Sequence, residues 1–165
     1  MRYLLVITLS LMFLFETVAD TGIEDIINYR QISPHFSIGG EPTYEQIESL
    51  AQGKFKHVIN LIPGDYESER FQLESLNISF VQIPVDWHNP TLDDFLQFVS
   101  LMKQYTDEKT LLHCQVNYRA STFNFLYQTT QLKSDRSVAL KQLHSVWQPN
   151  DTWQKFIAEV EKHYQ

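Results

Sequence analysis

The stretch Thr110-Leu111-Leu112-His113-Cys114-Gln115-Val116-Asn117-Tyr118-Arg119-Ala120-Ser121 decides how this chain folds. Residues 110–113 read as a short buried strand and residues 119–132 as a helix. Between them a tight loop opens on the only cysteine of the 165-residue sequence and closes on an arginine. A strand that feeds a helix through such a loop points backbone N–H groups into one concavity, and the positive end of the helix strengthens the field there. That arrangement binds an anion, and it would equally stabilise a thiolate on Cys114. Arg119 adds a planar fork of donors suited to two oxygens of an oxyanion. So tight a turn calls for a residue with positive φ, yet no glycine stands between Cys114 and Arg119. Asn117 is predicted to take the left-handed conformation, which asparagine tolerates better than other non-glycine residues.

Outward from the loop, apolar runs and helical spacings alternate. Residues 36–38 read as a strand ending at Gly39-Gly40, and residues 43–52 as a helix with Ile47, Leu50 and Ala51 on one face and Gly53 as its stop. Residues 55–62 form a buried strand bounded by Pro63-Gly64, residues 66–76 a polar helix, and residues 78–85 another strand. Residues 91–105 are amphipathic, with Leu92, Phe95, Leu96, Val99 and Met102 on one side, and residues 135–147 and 151–163 give two more closing helices. Trp147, Trp153 and Phe156 are expected to pack those helices. This order predicts an α/β fold: a central, mostly parallel sheet of about four to five strands, flanked by helices on both faces. Ligands of such sheets bind beyond the carboxyl ends of the strands, which is where Cys114 falls.

Composition narrows the classes of function. Hydrophobic residues make up 43% and charged residues 20%, as in a soluble globular domain. The net charge of −7 disfavours a nucleic-acid partner, so any positive field for an anionic substrate has to be local. Arg2, the apolar run 3–15 and the small residues Thr17-Val18-Ala19 form the three-part pattern of a secretory signal over residues 1–19. The apolar run is short for a membrane span, though an uncleaved anchor is the alternative. Residues 20–165 are then one exported domain, periplasmic or secreted. A lone cysteine allows no internal disulfide, and in an exported protein it suggests a functional thiol. The histidines show no paired ligand spacing, so no metal and no cofactor is expected.

The loop resembles the signature of cysteine-dependent phosphatases, in which His-Cys opens a phosphate loop closed by Arg. The segment Phe36-Ser37-Ile38-Gly39-Gly40-Glu41-Pro42-Thr43, with Val58-Ile59-Asn60-Leu61, is similar to the bacterial phosphatases named after beta-lactamase-hydrolase-like proteins. The resemblance runs from about residue 32 to residue 132. It implies a dual-specificity-phosphatase-like fold and hydrolysis of phosphomonoesters, on a phosphorylated protein or a small phosphoester, through a phosphocysteine on Cys114. It implies phosphate binding by Gln115, Val116, Asn117, Tyr118 and Arg119, with His113 and Ser121 supporting the sulfur. A general acid is expected from the loop of residues 84–90. Asp86 is the first candidate and His88 the second, although alignment on His88-Asn89-Pro90 places the acid one position later, at Trp87. Glu67, Glu69 and Arg70 either line the site or form a solvated helix face.

Two features depart from the phosphatase pattern. Four residues separate Cys114 from Arg119 where five are usual, and the hydroxyl that normally follows the arginine is displaced to Ser121. A four-residue gap also occurs in rhodanese-like sulfurtransferases. A sulfurtransferase, or a non-catalytic phosphate-binding module, is therefore the alternative reading.

Overall fold

The structure, a computed structural model, describes residues 22–165; the expected signal segment, 1–19, lies outside them. A short 3-10 turn, Ile23–Asp25, precedes the strand β1 (Arg30–Ser33), β2 (Phe36–Gly39), the helix α1 (Tyr44–Gln52), β3 (His57–Asn60), α2 (Glu67–Ser75) and β4 (Ser79–Gln82). Then follow α3 (Leu92–Gln104), β5 (Thr110–His113), α4 (Tyr118–Thr130), α5 (Arg136–His144) and α6 (Asp151–His163). The five strands lie in the order β1-β2-β5-β3-β4. All neighbours run parallel except the antiparallel pair β1 and β2.

The expected fold class is therefore the one observed. Four of the six α-helices begin at a residue whose side chain caps them. Thr43 and Thr91 each accept from the N–H three residues on and have their own N–H bound by Gln46 and Asp94, closing two capping boxes. Asp93 and Asp94 thus serve the first turn of α3. Asp135 and Asn150 cap α5 and α6 in the same way.

Strand residues alternate between two cores, so both faces of the sheet are covered. Val58 and Leu111 join Ile23, Ile26, Ile47, Leu50 and Leu73 on one face. Ile38, Ile59 and Leu112 join Phe95, Phe98, Phe123, Trp153 and Phe156 on the other. Within the second core α4 is buried nearly all round. Its polar residues are tolerated because they find partners: Thr122 and Thr130 donate to carbonyls four residues back, and Gln128 bridges Asn124 and Gln142.

Two expectations are corrected here. The strands expected over 55–62 and 78–85 are shorter, because the chain leaves the ladder soon after Asn60 and Gln82 to build loops at the carboxyl edge. The strand β1 was not foreseen. Its Arg-Gln-Ile-Ser composition has a single apolar residue, as suits an exposed edge strand formed only by pairing with β2.

Past Gly39 the chain runs against the loop that follows β5. Gly40 donates to the Ile27 carbonyl at 2.7 Å and bridges Val116. A Cβ at Gly40 would lie 2.8 Å from Ile27 Cβ and 3.0 Å from the Gln115 carbonyl oxygen. Gly40→Ala is therefore expected to cost about 1–3 kcal/mol in urea unfolding, and a variant as stable as the parent would show that this contact is slack.

Candidate active site

The site begins with the two hydrogen bonds that carry the sheet past β5. Leu61 N–H donates to the His113 carbonyl at 2.9 Å, and Cys114 N–H donates to the Gly39 carbonyl at 3.3 Å. Cys114 thus leaves the end of the central strand with its backbone fixed from both sides. The residue is 1% exposed and belongs to the larger core. A thiolate at so dry a position exists only if donors and positive charge compensate it.

The carbonyls of the next two residues are taken by segments distant in sequence: Gln115 C=O accepts from Glu41 N–H at 3.2 Å and Val116 C=O from the Asn28 side-chain amide at 3.0 Å, while Asn117 C=O takes the first hydrogen bond of α4, from Ser121 N–H at 3.0 Å. Asn117 has φ 71° and ψ 9°, the left-handed conformation expected from the sequence. Its side chain, fully buried, donates to the Asn28 carbonyl at 2.6 Å. The exchange of bonds between Asn28 and the pair Val116–Asn117 clamps the loop to the segment just before β1.

Arg119 closes the loop in the first turn of α4 and is 7% exposed. Its Nε donates to the Val85 carbonyl at 3.1 Å, and its guanidinium carbon lies 5.3 Å from the centre of the Trp87 ring. One edge of the guanidinium is thus fixed, while the outer fork of two terminal nitrogens has no hydrogen-bond partner among the described residues. Trp87 is held in turn by Trp147 and Trp153, each with its ring centre 5.3 Å away, and Tyr118 stacks on Trp147 at 4.9 Å. Trp147 and Trp153 therefore do pack the closing helices, and they also brace the wall beside Arg119.

Tyr66, just before α2, lies within electrostatic reach of Arg119 and Cys114. The Tyr66 hydroxyl is held above the usual tyrosine range, first by burial and then by the charges of Glu41 and Glu69, against which Arg119 pulls. It stays neutral and can donate. Glu67 and Arg70 pair with each other at the surface. Glu69 does not share that solvated face: its side chain is 10% exposed, with one oxygen 2.9 Å from His113 Nε2 and the other accepting from the Asn60 amide at 2.8 Å.

The structure divides the residues expected from the sequence. It brings Cys114, Gln115, Val116, Asn117, Tyr118 and Arg119 into one turn. His113 is fully buried and addresses Glu69, with no hydrogen bond to the sulfur. Ser121 is not brought to the sulfur either; its hydroxyl donates to the Tyr118 carbonyl at 3.1 Å and it lines a cavity with Arg30, Ile32 and Ile38. Asp86 follows the carbonyl that holds Arg119, so its loop borders the site. Its own carboxylate is exposed and accepts from His88 N–H at 2.7 Å. Sequence reasoning passed over Tyr66, Asn60 and the outward hold of Asn28 and Glu41. Only Asn60 and Glu41 carried a signal, through their place in the similar segments.

The sequence model of the family described as "DSP-PTPase phosphatase fused to NAD+ Kinase" matches residues 9–157. The chain belongs to this family. It is a cysteine-dependent phosphatase of the protein-tyrosine-phosphatase type, and the sulfurtransferase alternative is not favoured. A DUF442 protein of Shewanella putrefaciens CN-32, described as a phosphatase, is 30% identical, with a TM-score of 0.77 over 87% of this chain and 97% of its own. TpbA of P. aeruginosa is 19% identical, with a TM-score of 0.69 over 82% and 88% of the two chains, and shares the fold. So does the core catalytic domain of the PP-IP phosphatase SIW14 of S. cerevisiae, 16% identical with a TM-score of 0.71 over 82% and 90%. No curated protein matches the sequence significantly. Among the described residues of the phosphatase no cluster could hold a metal ion, and no helix is long and apolar enough to cross a membrane.

Asn117→Ala in this phosphatase removes a buried hydrogen bond and forces alanine into the left-handed region. The expected loss is about 2 kcal/mol, read by chemical unfolding; a change below about 0.5 kcal/mol would mean that the loop does not depend on that conformation.

Proposed function

We propose that Cys114 is the nucleophile and Arg119 the oxyanion clamp of this phosphatase. The observation that supports this most directly is the holding of the Gln115 and Val116 carbonyls by Glu41 and Asn28 from outside the loop. A loop whose carbonyls are held from outside is free to turn its amides inward, and this reading places them between the sulfur and the free fork of Arg119.

The chemistry is a double displacement. The Cys114 thiolate attacks phosphorus, a sulfur–phosphorus bond forms, and the bond from phosphorus to the ester oxygen breaks. A proton from the acid on the loop of residues 84–90 goes to the departing oxygen. Water then attacks the phosphocysteine, the thiolate leaves, and inorganic phosphate is released. The loop amides and Arg119 stabilise the equatorial oxygens in both steps. Asp86 is the acid in this reading: it is exposed on the loop whose Val85 carbonyl holds Arg119, and release of His88 N–H would free its carboxylate for a leaving group at the mouth of the site. His113 supports the sulfur only by placing its backbone. The substrate is a phosphorylated protein or a small phosphoester. Phosphotyrosine fits the aromatic wall of Trp87 and Tyr118, and a TpbA variant of the same fold has been solved with phosphotyrosine. Export through residues 1–19 would make the enzyme periplasmic or secreted, with Asp20 as the expected first residue on N-terminal sequencing of the purified protein; an intact Met1 in the cytoplasmic fraction would overturn that assignment.

Purified enzyme is expected to release phenol from an aryl phosphate, and Cys114→Ser to abolish release. Arg119→Lys, which loses the fork, is expected to lower kcat/KM by about 100-fold. Turnover by Cys114→Ser would refute the nucleophile, and phosphate binding without turnover by the parent would leave a binding module. Asp86→Asn is expected to slow substrates with poor leaving groups more than those with good ones; equal slowing of both would reject Asp86 as the acid.

A further inference from the structure

A carboxylate and an imidazole meet in the interior beneath the catalytic loop, and the chemistry described so far uses neither. His113 is the residue immediately before the nucleophile and is fully buried. Its Nε2 lies 2.9 Å from a Glu69 oxygen, a close contact whose alignment falls short of a good hydrogen bond, and its Nδ1 has no partner. The second Glu69 oxygen is held by the Asn60 amide at 2.8 Å, and the Asn60 carbonyl oxygen accepts from Ile62 N–H at 2.6 Å. Three elements are thereby joined at one point: the end of β3, the first turns of α2, and the last residue of β5.

Buried polar groups are costly unless they are partnered, and this chain keeps three together directly under its reactive loop. An apolar trio would fill the same space at less risk. What the polar trio adds is direction. The Asn60 amide holds the Glu69 carboxylate against the Nε2 edge of the buried His113 ring, and that ring is carried by the residue next to Cys114. We propose that Glu69 is a positioning residue for this phosphatase, acting through His113 to set the place of the Cys114 sulfur against the loop. This rests on the assignment of Cys114 as nucleophile.

The test uses the full domain and two readouts. Steady-state hydrolysis of an aryl phosphate reads turnover, and alkylation of Cys114 by iodoacetamide across pH reads the sulfur without any turnover. Loss of turnover in the parent would defeat the phosphatase chemistry itself; the alkylation readout of Glu69 would stand apart from it. The charged and titratable groups on the elements packed against the loop are Glu41, Tyr66, Glu69, Asp86, His88, His113 and Arg119, and only Glu69 and His113 are changed. In Glu69→Gln, which keeps volume, kcat is expected to fall about tenfold with KM within about twofold, as a small misplacement of reacting groups produces. The pH midpoint of alkylation is expected to rise, because the sulfur no longer sits at the focus of the loop. In a His113→Asn background the same change is expected to alter kcat less than about twofold, since the intermediary is already gone.

An unchanged kcat in folded Glu69→Gln would overturn the proposal. So would full multiplication of the Glu69 and His113 losses, which would mean that Glu69 acts by a separate route. A lowered alkylation midpoint with normal kcat would also overturn it, because Glu69 would then be only a background negative charge. Should Glu69→Gln not fold, Asn60→Ala releases the second carboxylate oxygen while leaving the charge in place and carries the same expectations.

Discussion

A chain that must pass from β5 into α4 with four residues between its sulfur and its guanidinium has little freedom. Its carbonyls must be drawn outward and held there, or its amides cannot face a common centre. The hold comes from segments far off in sequence. Glu41 N–H, just past β2, takes the Gln115 carbonyl, while Asn28, just before β1, grips both Val116 and Asn117. The N-terminal hairpin therefore does more than extend the sheet. Its two flanking segments form the outer mould of the loop, and Gly40 lets that mould come close enough to touch.

The charge of the site follows from the same confinement. The protein as a whole is acidic, so long-range attraction of an anion would work against it. Recognition must come from short-range donors in a dry setting, where each interaction is stronger than in water. Arg119 meets this need by being buried and fixed at Nε, with Trp87 beside its plane. As the proposed clamp, its outer fork is already held in place and loses little freedom on binding. The stacked Tyr118 and Trp147, with Trp153 behind them, keep Trp87 in place, so α6 at the far end of the chain reaches the site through aromatic packing.

A second consequence concerns the shortened loop. With one residue fewer than the common phosphatase pattern, and the hydroxyl moved to a position where it binds the helix backbone, the sulfur lacks the side-chain donor that usually follows the arginine. The buried Glu69–His113 contact and the neutral Tyr66 hydroxyl are the polar groups that remain on the α2 side. They make α2, a helix with little apolar periodicity, part of the site's support.

The alternation of strands and helices and the left-handed Asn117 were legible in the sequence, because each depends on residues within a few positions of one another. So was the loop from Cys114 to Arg119, whose chemistry is written in consecutive residues. The strand β1 was not legible: four residues with one apolar side chain become a strand only when β2 offers its edge. Nor was the division of labour among polar residues. Glu67 and Glu69 differ by two places and look alike in the sequence, yet helical geometry turns one to solvent and the other to His113. Ser121 looked like a partner for the sulfur, and the turn of α4 bound it to its own backbone instead. Local patterns determined the elements and the nucleophilic loop; packing between distant segments decided which polar side chains face that loop, because orientation is set by contacts that no short stretch contains.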